Sequence, residues 1–187
     1  AMNVIHESSH HDSRCHHTEQ CREHIGNQYN AGETRIAGLE LTLGYTAEAG
    51  GFDLPLRLGL TRTDTEFRDA FDSPNWGEVV AGDEMPYVPE TQLFAEMGLE
   101  QGNFSVNLSA RYNSEIRTQA GQGVIAADER IAGRTVWDMA AHYQLDNQQS
   151  FYLTVDNLFD KVYIANRSHA IQVGKPRSLH LGYSVSF

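Results

Sequence analysis

What this 187-residue chain lacks already narrows what it can be. No stretch approaches the ~18–20 consecutive apolar residues of a membrane-crossing helix, and mean hydropathy is −0.47. That absence excludes helical spans and nothing more. A membrane-crossing strand needs only about 9–11 residues, of which every second one faces lipid, and averaged hydropathy is blind to such alternation. Basic residues are scarce: 14 Lys and Arg stand against 25 Asp and Glu, for a formal charge of −11. A chain this acidic repels phosphate backbones, so no nucleic-acid partner is expected. Cysteine is reduced to Cys15 and Cys21, in a polar segment. In an oxidising compartment the pair reads as a small loop disulfide. Because His16 and His17 follow Cys15 directly, a Cys/His metal site is the alternative. Ala1-Met2-Asn3-Val4-Ile5 has neither the basic start nor the apolar run of a signal peptide, which leads us to expect a piece of a longer chain. No nucleophile, acid–base pair or phosphate loop stands out, and the expectation is no enzyme and no intrinsic cofactor.

What is present is alternation. Leu39, Leu41, Leu43 and Tyr45 interleave with Glu40, Thr42 and Gly44, the period-two pattern of a strand with one apolar face. A helix would scatter those leucines around its circumference. The pattern recurs over Phe52–Leu60, Leu93–Leu99, Phe104–Tyr112, Trp137–Leu145, Phe151–Val155 and Leu179–Phe187, which predicts seven strands. The opposite face carries Arg57, Glu96, Asn107, Arg111, Asp138, His142 and Asp156.

Connections alternate as strictly as residues do. Glu48 to Gly51, Gln101 to Asn103 and Asp146 to Gln149 read as tight polar turns. Between them lie long segments, Glu66 to Pro89, Arg117 to Gly133 and Asp160 to Lys175, and a further one before Glu33. All tight turns therefore fall at one end of the sheet and all long loops at the other. A soluble sandwich packing two sheets has no reason to sort its loops, whereas outer-membrane barrels place short turns in the periplasm and long loops outside. Tyr45, Phe52, Phe104, Tyr143 and Phe151 near strand ends suit an interfacial aromatic girdle. The expected fold is all-β: an antiparallel transmembrane β-barrel fragment of about seven strands, in contact with outer-membrane lipid. Residues 1–32 are expected to be an extracellular His-rich loop with the end of a preceding strand, and residues 33–187 the barrel strands.

The final residues, His180-Leu181-Gly182-Tyr183-Ser184-Val185-Ser186-Phe187, resemble the C-terminal assembly signal of outer-membrane proteins. Gly182, Tyr183, Val185 and Phe187 carry that resemblance, which implies recognition by the barrel-assembly machinery. Asn157-Leu158-Phe159-Asp160-Lys161-Val162-Tyr163, then Gly174-Lys175-Pro176-Arg177, resemble the closing motif of TonB-dependent receptors. Asn30-Ala31-Gly32-Glu33 with Gly38 to Glu40, and Pro86-Tyr87-Val88-Pro89-Glu90, are similar to two strand-opening motifs of the same family. The cysteine pair before Asn30 looks most like the ferric dicitrate receptor branch. The family resemblance implies a 22-stranded barrel, of which seven strands are about a third, together with a plug domain and a box engaging TonB, neither of which is expected in these residues. It also implies TonB-powered uptake of a chelated metal at the outer membrane.

Two sets of loop residues could read cargo. Arg62, Arg117, Arg130, Arg134 and Arg167 offer guanidinium forks that suit the carboxylates of a ferric chelate such as citrate. The plain alternative is ordinary loop charge paired with nearby Asp and Glu. Six of the nine histidines fall in the first 24 residues. There His10, His11, His16 and His17, mixed with carboxylates, suit zinc or another borderline metal, against the alternative of a low-complexity polar loop.

Overall fold

The structure is a computed structural model, and it describes residues 32–73, 76–168 and 170–186. Seven long strands form one antiparallel sheet: β1 (Thr34–Ala49), β2 (Phe52–Phe67), β5 (Thr91–Gln101), β6 (Phe104–Asn113), β9 (Arg134–Gln144), β10 (Gln149–Asp156) and β13 (Ser178–Val185). They follow one another in chain order, β1-β2-β5-β6-β9-β10-β13, so each strand pairs with its predecessor and no connection crosses the sheet. The described sheet is open, with β1 and β13 at its edges. All three tight turns lie where expected.

Register turns alternation into two chemically distinct faces. On the apolar face Tyr45, Leu56, Met97, Leu108 and Met139 form one continuous cross-strand row. At the turn end Phe104, Tyr143, Phe151 and Tyr183 form another, with the Phe151 and Tyr183 rings 4.9 Å apart. Leu39, Leu43, Leu58 and Leu181 are more than half exposed on this face, an arrangement that water would penalise at roughly 25 cal/mol per Å². From Phe104 to Tyr112 the apolar band of β6 runs roughly 27 Å along the strand. A tilt of 35–45° reduces that to about 20 Å of height, close to the band of a membrane barrel.

Buried side chains are found at the other end. Phe67, Val79, Ile116 and Ile131 are buried there, where the long connections begin or fold, and Val155 near the end of β10 is the fifth buried apolar residue described. These connections hold three small hairpins that alternation did not predict: β3 (Phe71–Ser73) with β4 (Gly77–Val79), β7 (Ile116–Arg117) with β8 (Arg130–Ile131), and β11 (Ile164–Asn166) with β12 (Gln172–Val173). Two or three residues are too few to display a period. The first two strands also extend further than the leucine pattern, to 16 residues each. Their loop ends carry charged pairs in place of leucines: Arg35 of β1 lies 3.8 Å from Asp64 and 3.7 Å from Glu66 of β2.

The hairpins interlock into one lobe. Phe67 packs against the rings of Phe71 and Trp76. Glu84 bridges to Gly121, and the Tyr87 amide donates to the Arg117 carbonyl at 2.9 Å. Gln122 donates to Asp83, and Arg167 of the last connection donates to the Asp128 carbonyl at 3.1 Å.

Candidate functional site

The polar face is built from rows that match opposite charges across strands. Arg57 faces Glu96 at 3.4 Å, and Arg111 is ion-paired with Asp138. Asp138 also accepts the Asn157 amide at 2.8 Å, which ties this wall to the closing motif. Asn157 is 2% exposed and adopts a left-handed backbone, φ 51°. Its side-chain amide donates to the carbonyls of Lys161 and Lys175, and its side-chain oxygen accepts the Lys161 amide. Asp160 accepts the Arg177 amide at 3.0 Å. The Asn-Leu-Phe-Asp-Lys stretch is thus a polar knot fastening the end of β10 to β9 and to the approach to β13. Asn suits its centre because it tolerates αL and brings donors and an acceptor together.

Tyr163 and Gly174 complete the knot. A Cβ on Gly174 would lie 2.0 Å from the Tyr163 ring, so the ring occupies space that only glycine leaves. The Gly174 amide donates to the Tyr163 carbonyl at 2.8 Å. Over the same ring sits the Arg134 guanidinium, 4.8 Å from its centroid, in cation–π geometry. Gly182, singled out as part of the terminal signal, stands in the same relation to Tyr152, whose ring lies 1.9 Å from where a Cβ would be. Tyr183 and Val185 point to the apolar face with Leu179 and Leu181.

Next to this knot the polar face holds a groove of about 440 Å³. Thr61, Gln92, Asn113 and Arg134 form its upper row, and Gly59, Phe94, Arg111 and Val136 the row below, with Tyr163 as an added wall. The upper row lies level with Tyr112 on the opposite face.

The five candidate arginines are placed very differently. Arg62 shares the strand parity of Leu56, Leu58 and Leu60, so it stands on the apolar face, where it pairs with Glu90. Arg117 is 5% exposed and locked to Glu84 at 2.9 Å and to the Gly123 carbonyl at 3.0 Å. Arg130 pairs with Glu115 at 3.3 Å. Arg167 is engaged by backbone carbonyls, and its charge lies near Tyr87, whose hydroxyl burial pushes above its ordinary pKa while Arg167 opposes the shift. Arg134 alone of the five lines the groove; it has no carboxylate partner among the described residues, and its Nη1 is shielded from solvent without an acceptor. Sequence reasoning chose Arg134 as one loop arginine among several and missed Gln92, Asn113 and Thr61, whose convergence requires the register of four strands.

His10, His11, His16, His17, Cys15, Cys21 and Phe187 lie outside the described residues. Among the described residues no group of three or more His, Cys, Asp and Glu side chains could hold a metal ion.

An antiparallel meander, leucine-rich on one face, ionic on the other and capped by loops at one end only, is a section of transmembrane β-barrel wall. The chain belongs to the TonB-dependent receptors: the family described as TonB dependent receptor-like, beta-barrel, matches residues 11–158. Solved structures share the fold. The ferric-catecholate import receptor Fiu from Escherichia coli K12 is 23% identical over 87% of this chain, with a TM-score of 0.64. The ferric citrate transporter FecA is 23% identical over 86%, with a TM-score of 0.68. The siderophore receptor PiuA from Acinetobacter baumannii is 22% identical over 83%, with a TM-score of 0.62. The chain spans 22% to 26% of the length of these three proteins. No curated protein sequence matches it.

Proposed function

We propose that this chain forms the C-terminal part of the barrel of an outer-membrane receptor that imports a ferric chelate, with energy delivered through TonB to a plug domain elsewhere in the receptor. The observation that carries this reading is the two-faced sheet of the family, whose polar wall bears a basic groove directly beneath the loop lobe. The three related structures are receptors or transporters for ferric catecholate, a siderophore and ferric citrate, and that shared cargo class supports a ferric chelate here. Anionic chelates need cationic, hydrogen-bonding walls, and Arg134 supplies one here beside the Asp138-paired Arg111, while Arg117, Arg130 and Arg167 are engaged within the loop lobe and Arg62 stands on the opposite face. The ferric dicitrate branch is the finer reading. Recognition of the terminal strand by the barrel-assembly machinery, through strand addition at an exposed edge, belongs to the same proposal.

The test is uptake of radioactive iron by iron-starved cells whose own receptors are deleted and which express the complete receptor. Chelate-dependent uptake that disappears without TonB is expected. Uptake that persists without TonB, or no uptake of ferric citrate, catecholate or hydroxamate chelates, would overturn it. Zinc uptake in the same cells, abolished by changing His10, His11, His16 and His17 together to Ala, would instead establish the zinc reading.

A further inference from the structure

We infer that the groove beside Arg134 is a carboxylate-binding site, taking a carboxylate of a small polycarboxylate ligand. The inference rests on the import reading and deepens it by naming the ligand chemistry.

The charge pattern of the wall carries the argument. Going down the polar face, Arg57 is answered by Glu96 and Arg111 by Asp138. Arg134, one row above Arg111 on the neighbouring strand, has no acid within ion-pair distance among the described residues. Its guanidinium rests on Tyr163, and one of its nitrogens is shut away from water with no acceptor among the described residues. A desolvated guanidinium N–H left without an acceptor is costly, and a ring face satisfies it only in part. The missing partner is an anion.

Neighbouring groups define which anion. Asn113 is the direct cross-strand partner of Arg134, and Gln92 is the partner of Asn113. The two amides are bonded to each other at 3.1 Å, which orients Asn113 with its oxygen on Gln92 and its own side-chain N–H group free to donate. Thr61 continues the row with a hydroxyl. A planar fork plus amide and hydroxyl donors matches the two oxygens of a carboxylate. Phe94 and Tyr163 wall the groove with rings. At about 440 Å³ the groove admits a small ligand bearing several carboxylates, and its position below the lobe places it on the route from the loops into the lumen.

Two variants of the complete receptor in detergent test this by isothermal titration with ferric dicitrate and, separately, with a ferric tris-catecholate that carries no carboxylate. Arg134→Gln removes the fork. Asn113→Asp leaves Arg134 in place but gives it an internal carboxylate that competes with the ligand, and as an isosteric change it spares the fold. Both should weaken ferric dicitrate binding about tenfold or more, the usual worth of a charge-assisted hydrogen bond, and should leave catecholate binding unchanged where the wild-type receptor binds it. Unchanged ferric dicitrate affinity in both variants would overturn the site. So would equal losses for both chelates. If Arg134→Gln lowers the melting temperature of the ligand-free receptor and leaves chelate affinity intact, the occupant is an acidic side chain of the receptor itself and the inference falls. If the wild-type receptor binds and imports the catecholate but not ferric dicitrate, the import reading stands and the carboxylate site does not. Silence from both chelates in binding and uptake removes the import reading first.

Discussion

Asn157 shows how one side chain can justify a motif. Its backbone amide is held by Asp138 of β9 while its side chain ties together the backbone segments at Lys161 and Lys175, from a backbone conformation few residues accept. Asn157→Ala strands three part-buried backbone groups at once, the Lys161 amide and the Lys161 and Lys175 carbonyls, and should cost about 1–3 kcal/mol, read from urea unfolding in detergent. Asn157→Asp keeps the acceptor and loses both donated bonds, so it should fall between the two. Gly174 makes a second residue-level case. Gly174→Ala drives a methyl into the Tyr163 ring and should destabilise by about 1–3 kcal/mol. Adding Tyr163→Leu should recover part of that loss, and the double-mutant cycle should be clearly non-additive. An additive cycle would mean that ring and glycine do not act as a pair.

At the scale of elements, the long connections are built as structure and not as slack. Arg117 is the pin: nearly inaccessible, it holds Glu84 and Gly123, so the β3/β4 connection cannot leave the β7/β8 connection without exposing it. Removing its partner leaves a buried cation unanswered. Glu84→Ala should raise proteolysis within residues 118–133 roughly tenfold, through local opening that costs about 1–3 kcal/mol less than in the wild type. Glu84→Leu combined with Arg117→Met should restore much of the resistance, because a pair of apolar residues can replace an ion pair without leaving a charge behind. If Glu84→Ala digests at the wild-type rate, the lobe is held by its apolar residues Phe67, Val79, Ile116 and Ile131 instead.

For the whole molecule, the question is what surrounds each face. Leu108 stands midway between Phe104 and Tyr112 on the apolar face, whereas its neighbour Ser109 faces Glu96 and Asp138. Leu108→Arg should therefore cost about 2–4 kcal/mol in lipid vesicles, and Ser109→Arg, one residue away, less than about 1. Equal costs would deny that the two faces meet different media. Among the described residues the buried apolar side chains are few and gather towards the loop end, as expected of a barrel wall stabilised by its ladder of strand hydrogen bonds and by the surroundings of its outer face.

How much of this was legible beforehand depends on interaction range. Alternation is a local property, and the leucines of β1 and β2 announced their strands because every second side chain must meet the same medium. Loop sorting was equally legible, since connection length is written directly in the chain. Arg117 and Arg134 could not be told apart that way, for both are arginines in a long polar connection. One is buried by Glu84, 33 residues away, and the other lies over Tyr163. Arg62 was misleading for a related reason: it reads as a loop cation, and only the unbroken register of β1 with β2 shows it on the outer face. By itself, then, the sequence determined the seven long strands, their two faces, the meander order and the family, all consequences of short-range periodicity and of contiguous motifs. Tertiary structure alone decided which of the candidate arginines lines the groove without an acid partner among the described residues, because ion pairing and burial are set by residues that strand register brings together from four different elements.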